Sequence, residues 1–242
     1  MLFFYVGIYS FIIYKIDVVK VFNESIVELN LSGKDLTELP DLSIYPNLRK
    51  LYCNQNKLTK IDNLPRGLTY LNCSHNKLRH LNNLPSSLKE LQCCGNQLTK
   101  LDNLPNSLTE LVCDHNNLTQ LDNLPNGLIY VNCSHNKLQH LNNLPSSLKK
   151  LMCRNNYQLK HLDNLPYGLI ELNCSNNDFT QLDNLPNTLI TLFCSFTKLK
   201  QLNNIPNSLK ILHCDFNPFI YDFKPTLENI REYNVSRQEF NY

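Results

Sequence analysis

Residues 88–107 read LKELQCCGNQLTKLDNLPNS. The apolar skeleton is Leu88, Leu91, Cys93, Leu98, Leu101 and Leu104, with Asn96 in the middle and Pro105 at the close. It returns every 20 residues, with one step of 21, as the closing prolines show: Pro65, Pro85, Pro105, Pro125, Pro145, Pro166, Pro186 and Pro206. The opening leucines are Leu48, Leu68, Leu88, Leu108, Leu128, Leu148, Leu169, Leu189 and Leu209. A divergent unit begins at Ile26, carries Leu31 where later units carry cysteine, and runs 22 residues. About ten units therefore cover residues 26–218. A period of this length marks an array of equal units, none able to bury its apolar face alone.

The spacing predicts the shape. Leu91-x-Cys93 is period two, so both side chains point to one face of a short strand. A fully extended 20-residue unit would span about 65 Å, so each unit must coil back to stack on the next. Equivalent strands then lie about 4.8 Å apart in a parallel sheet. Leu101–Pro105 is too short and too proline-bound for a helix, which predicts extended or polyproline-like backbone there. The expected fold is a right-handed, mainly β solenoid with the sheet on its concave face. The asparagines Asn56, Asn76, Asn96, Asn116, Asn136, Asn156, Asn177 and Asn217 fall where the strand turns. Their expected job is to satisfy backbone groups left unpaired there, each costing about 1–3 kcal/mol if buried alone. Thr197 replaces one of them and offers fewer bonds. The extra residue of the 21-residue unit is expected on a loop between Asn156 and Leu159.

The pattern L-x-x-L-x-C-x-x-N-x-L resembles the leucine-rich-repeat family, with cysteine at a leucine position. The closing Leu-Pro resembles the short subclass found in bacterial effector proteins, and the wealth of cysteine and asparagine resembles repeat proteins of giant DNA viruses. The resemblance covers about four fifths of the chain. It implies the fold and a protein-binding role, and it is almost silent on activity. Some effectors of that subclass carry a ubiquitin ligase with a catalytic cysteine after the repeats. Here no cysteine follows Cys214, so that activity is not carried over.

The formal net charge is +2, without a basic run, which gives nucleic-acid binding no support. Nine of the ten cysteines form one inward ladder: Cys53, Cys73, Cys93, Cys113, Cys133, Cys153, Cys174, Cys194 and Cys214. Parallel stacking holds their Cβ atoms about 4.8 Å apart, whereas a disulfide wants about 3.8 Å. The ladder therefore reads as reduced packing, which suits a cytoplasmic location. Cys94 alone turns outward, with Glu90 and Asp114 expected on the same face, and it is the centre of a lesser, thiol-dependent alternative. His75, His115 and His135 share one repeat position and His80, His140 and His161 another, and they read as solvated loop residues. No catalytic residue, cofactor site or metal site is assigned, and a monomer is expected.

Residues 1–14, MLFFYVGIYSFIIY, are strongly apolar. They fall short of the about 20 residues of a membrane span. Residues 1–25 are expected to cap the open end of the solenoid. The alternative is a signal or anchor segment in a secreted or membrane-attached recognition protein. After Asn217 the pattern stops, and residues 219–242 are expected to form a C-terminal cap. Its short helix starts after Pro225, and Leu227, Ile230 and Val235 cover the last coil.

Function is left to the outward strand positions, which vary while the inward ones do not. Aromatic and arginine residues dominate interface energetics. The partner-binding candidates are accordingly Tyr52, Tyr70, Tyr130, Met152, Arg154, Phe193, Ile211 and His213. Tyr130, Met152 and Arg154 are expected to cluster, as are Phe193, Ile211 and His213.

Overall fold

The structure, a computed structural model, describes residues 24–239. The expectation for residues 1–14 lies outside them. Ten three-residue strands follow one another: β1 (Glu28–Asn30), β2 (Lys50–Tyr52), β3 (Tyr70–Asn72), β4 (Glu90–Gln92), β5 (Glu110–Val112), β6 (Tyr130–Asn132), β7 (Lys150–Met152), β8 (Glu171–Asn173), β9 (Thr191–Phe193) and β10 (Ile211–His213). They form one sheet in chain order, every pair parallel. The register sets each residue beside its equivalent in the next unit, as in Glu90↔Glu110 and Leu91↔Leu111. The middle residue of each strand points inward. Leu51, Leu71, Leu91, Leu111, Val131, Leu151, Leu172 and Leu192 are fully buried, as is the cysteine after each of those strands. The remaining leucines of each coil close the core from its other sides, with Phe179 in one leucine position.

The asparagines do the expected work, and more of it. The Nδ2 of Asn96 donates to the carbonyls of Cys93 and Cys73, both at 3.1 Å, and its Oδ1 accepts the Leu78 amide at 3.0 Å. Asn76, Asn116 and Asn136 repeat the pattern. Each cysteine carbonyl thus receives one amide from its own coil and one from the next, which stitches neighbouring coils together. The 21-residue unit places its extra residue in a turn at Tyr157 and Gln158. There the Leu159 amide bonds to the Asn156 carbonyl at 2.8 Å, and Asn177 Oδ1 accepts the Asn156 amide instead. Thr197 Oγ1 faces the Cys194 carbonyl at 3.2 Å and Asn217 Oδ1. Its single proton serves one of them at a time.

Two residues per coil adopt left-handed backbone. One is the asparagine of Asn-Leu-Pro, as at Asn63, Asn83 and Asn103 (φ 54, 53 and 55°). The other precedes the ladder asparagine, or Thr197 in its place, as at Gln55, His75, Gly95 and Phe196. Asparagine and glycine tolerate this region best, which accounts for the asparagine before Leu-Pro or Ile-Pro in the regular units from Asn63 to Asn204.

On the far side of the coil a serine or threonine reaches back to the previous coil. Ser147 Oγ lies 2.7 Å from the Asn126 carbonyl and 2.5 Å from that of Leu128. Ser87, Ser107 and Thr188 repeat the pattern. Gly127 occupies the same position, and a Cβ added there meets only the Leu108 and Asn106 carbonyls, at 3.5 and 3.7 Å. Gly127→Ser therefore restores the bridge and stiffens the unfolded chain, and should stabilise by about 1 kcal/mol. A higher urea midpoint with an unchanged slope is the expected reading.

One helix, α1 (Leu227–Glu239), follows the last coil. Thr226 Oγ1 caps it by accepting the Asn229 amide at 3.2 Å. Ile230 is fully buried, and Arg231 donates to the carbonyls of Pro206, Asn207 and Leu209 at the edge of the array. Val235 corrects the sequence reading, since it is exposed. Five residues beyond Ile230 it has rotated off the packed face. Asn234, four residues on, faces the coil and donates to the Leu202 carbonyl at 3.0 Å. No helix among the described residues is long and apolar enough to cross a membrane.

Candidate functional site

The outward face of the sheet is built by alternation. Each strand presents its first and third residues, and the residue after the buried cysteine continues the row. Tyr70, Tyr130 and Ile211 are first residues; Tyr52, Met152, Phe193 and His213 are third; Arg154 lies one alternation beyond β7. All eight candidates therefore lie on this face, in three parallel columns.

Side-chain contacts group them differently. The rings of Tyr52 and Tyr70 lie 5.0 Å apart, tilted by 41°. Phe193 and His213 stack at 4.8 Å with planes 6° apart, and Ile211 beside them is 46% exposed. Tyr130 stands in register with Lys150, and Met152 with Asn132. Tyr130 and Met152 are thus diagonal neighbours, about 7–8 Å apart at the backbone.

The sequence reading missed an aromatic pair on the flank of this face. Phe196 and Phe216 stack at 4.3 Å and are 51% and 73% exposed. Both hold positive φ, 54° and 58°. A bulky residue pays about 1 kcal/mol for that conformation. The signal in the sequence is positional: the residue before the ladder asparagine, or before Thr197 in its place, is asparagine or glycine in Asn155, Asn176 and Gly95, and phenylalanine only in the last two coils.

The histidines of this column are not simply solvated. His115 and His135 stack at 4.0 Å, His115 Nδ1 is 2.8 Å from Asp114, and His135 Nε2 is 2.9 Å from the Asn155 amide. Burial first, and then His115, hold His135 below the ordinary histidine range. His75 leans over Gly95, where an added Cβ would lie 2.5 Å from its Nδ1, so a larger residue there would displace the ring, and glycine also suits the φ of 61°. His75 Nε2 comes within 3.9 Å of Cys94 Sγ. Cys94 is half-buried; burial pushes its thiol up and Asp114 adds to that, against a hydrogen bond from Ser74. The thiol is therefore protonated near neutral pH, the less reactive form. The ladder thiols are held more firmly neutral, with burial pushing Cys53, Cys133 and Cys174 up to about 12. Among the described residues, no group of three or more His, Cys, Asp or Glu is placed to hold a metal.

No family model matches the chain, and no curated protein matches it. Solved structures do. YopM from Yersinia enterocolitica WA-314 is 29% identical, with a TM-score of 0.60 over 77% of this chain and 50% of that one. The functional domain of InlJ from Listeria monocytogenes, described as including a cysteine ladder, is 32% identical, with a TM-score of 0.64 over 79% of this chain and 49% of that one. The leucine-rich repeat domain of APL1B shares the fold at 21% identity and a TM-score of 0.58, over 84% of this chain and 73% of that one. The chain thus spans about half the length of YopM and of InlJ. It is a parallel solenoid with the leucine-rich-repeat fold, built from short 20-residue units.

Proposed function

We propose that the chain is a protein-interaction module that holds a protein partner against the outward face of its sheet and performs no chemistry of its own. The observation that carries this reading is the apolar patch on the last two coils. Ile211, the Phe193–His213 stack and the Phe196–Phe216 stack run across β9 and β10 from one flank to the other. Packing does not require these side chains, and two of them sit in backbone that opposes them. Large exposed aromatics gathered in one place mark interaction surfaces. Tyr52, Tyr70, Tyr130, Met152 and Arg154 extend the same surface toward the start of the array. The nine neutral, buried thiols suit a reducing compartment. We place the chain in a cytosol, that of a host cell if the likeness to bacterial effectors extends to its use.

The test is affinity capture with the whole chain, comparing the native protein with Phe193→Ala and Phe216→Ala. The expected result is a partner whose binding weakens at least about tenfold in both variants while their circular dichroism is unchanged. A partner retained equally by both variants would remove the patch from the interface.

A further inference from the structure

Along the first position of six successive strands the register reads Lys50↔Tyr70↔Glu90↔Glu110↔Tyr130↔Lys150. We propose that this row docks a basic protein segment, whose arginine or lysine side chain rests on the Glu90–Glu110 pair between the two tyrosines. The proposal rests on the reading that the outward face of the sheet binds protein.

The pair is a local conflict. Two glutamates stand in register on adjacent parallel strands, about 4.8 Å apart at the backbone, and like charges set opposite each other disfavour a sheet. Among the described residues neither Glu90 nor Glu110 has an ion-pair partner, and Lys150 is engaged by Glu171 at 3.0 Å on its other side. Asp114, the next carboxylate on the face, is already held by His115 at 2.8 Å and by the Asn132 amide at 3.2 Å. Outward positions are free of packing demands, and Thr191 fills the same column without charge. Local rule-breaking of this kind is expected where function competes with stability.

The flanks fit the same guest. Tyr70 and Tyr130 are half-buried, so their rings are held by the sheet. Aromatic rings beside a carboxylate pair add cation–π attraction to charge pairing. A guanidinium fork matches carboxylates best. Lys50 and Lys150 at the two ends bound the acidic stretch, which favours a short basic segment over a long basic tract. The same charge repels nucleic-acid phosphates and anionic lipid.

The experiment selects binders from a random peptide library displayed on phage against the whole native chain and against Glu90→Gln/Glu110→Gln. Peptides enriched in arginine or lysine on the native chain, binding the double variant at least about tenfold more weakly and losing affinity with rising salt, are the expected result. Because the substitution removes repulsion, the variant should melt no lower than the native chain, which separates lost recognition from lost fold. Binders that depend on Phe193 or Phe216 but carry no basic enrichment would overturn this inference and leave sheet-face binding standing. Binders indifferent to every substitution on the face would overturn both.

Discussion

Leu111→Ala should lower stability by about 2–5 kcal/mol, and Val112→Ala, one residue on, by less than about 1 kcal/mol. Leu111 is fully buried in the middle of β5, between Leu91 and Val131 in register. Truncation opens a cavity that neighbouring coils cannot close without breaking their own stacking. Val112 is the outward neighbour on the same strand and half-buried. In an array whose units touch only their neighbours, damage at mid-length also weakens the coupling of the two ends. Urea unfolding of Leu111→Ala should therefore broaden or split as well as shift. Equal losses for the two variants would place the strand register one residue out.

Asn116→Ala should cost about 2–4 kcal/mol, against under about 0.5 kcal/mol for Asn117→Ala beside it. The Asn116 carboxamide accepts the buried Leu98 amide at 3.0 Å and donates to the Cys93 and Cys113 carbonyls at 3.1 Å. Each of those carbonyls keeps a second donor, from Asn96 and Asn136 respectively. The Leu98 amide keeps none, so an orphaned buried donor dominates the loss. Asn117 contributes only its backbone, which bonds to Leu98 at 2.8 Å. Thermal melting of both variants checks the contrast, and similar melting points would deny the carboxamide its bridging role.

Most of the scaffold is legible in the chain because a 20-residue period fixes register by itself. Period-two spacing at Leu91 and Cys93 gives the inward face, and with it the buried thiols and the columns of outward residues. Two features escape such reading. Left-handed backbone shows itself only as a preference for asparagine and glycine, and in a chain crowded with asparagine that preference is drowned. Phe196 and Phe216 carry no such preference at all. The second is contact between outward side chains. The period places Phe193, Tyr130 and Glu90 on one face, but ring orientation decides that Phe193 meets His213, and the register decides that Tyr130 faces Lys150. At the C-terminal end, helical rotation separates Val235 from Asn234, a distinction that hydrophobicity alone reverses.

Thr197 gives the array a seam. Everywhere from Asn56 to Asn177 a two-armed carboxamide ties a coil to its predecessor, but at Thr197 one hydroxyl proton is divided between Cys194 and Asn217. The last two coils and α1 are therefore joined to the rest by a weaker stitch, and partial opening of the native state should begin there. The apolar patch on β9 and β10 lies on that terminal piece. A partner that grips it closes the seam as it binds, so part of its binding energy appears as slower amide exchange in a region it does not touch.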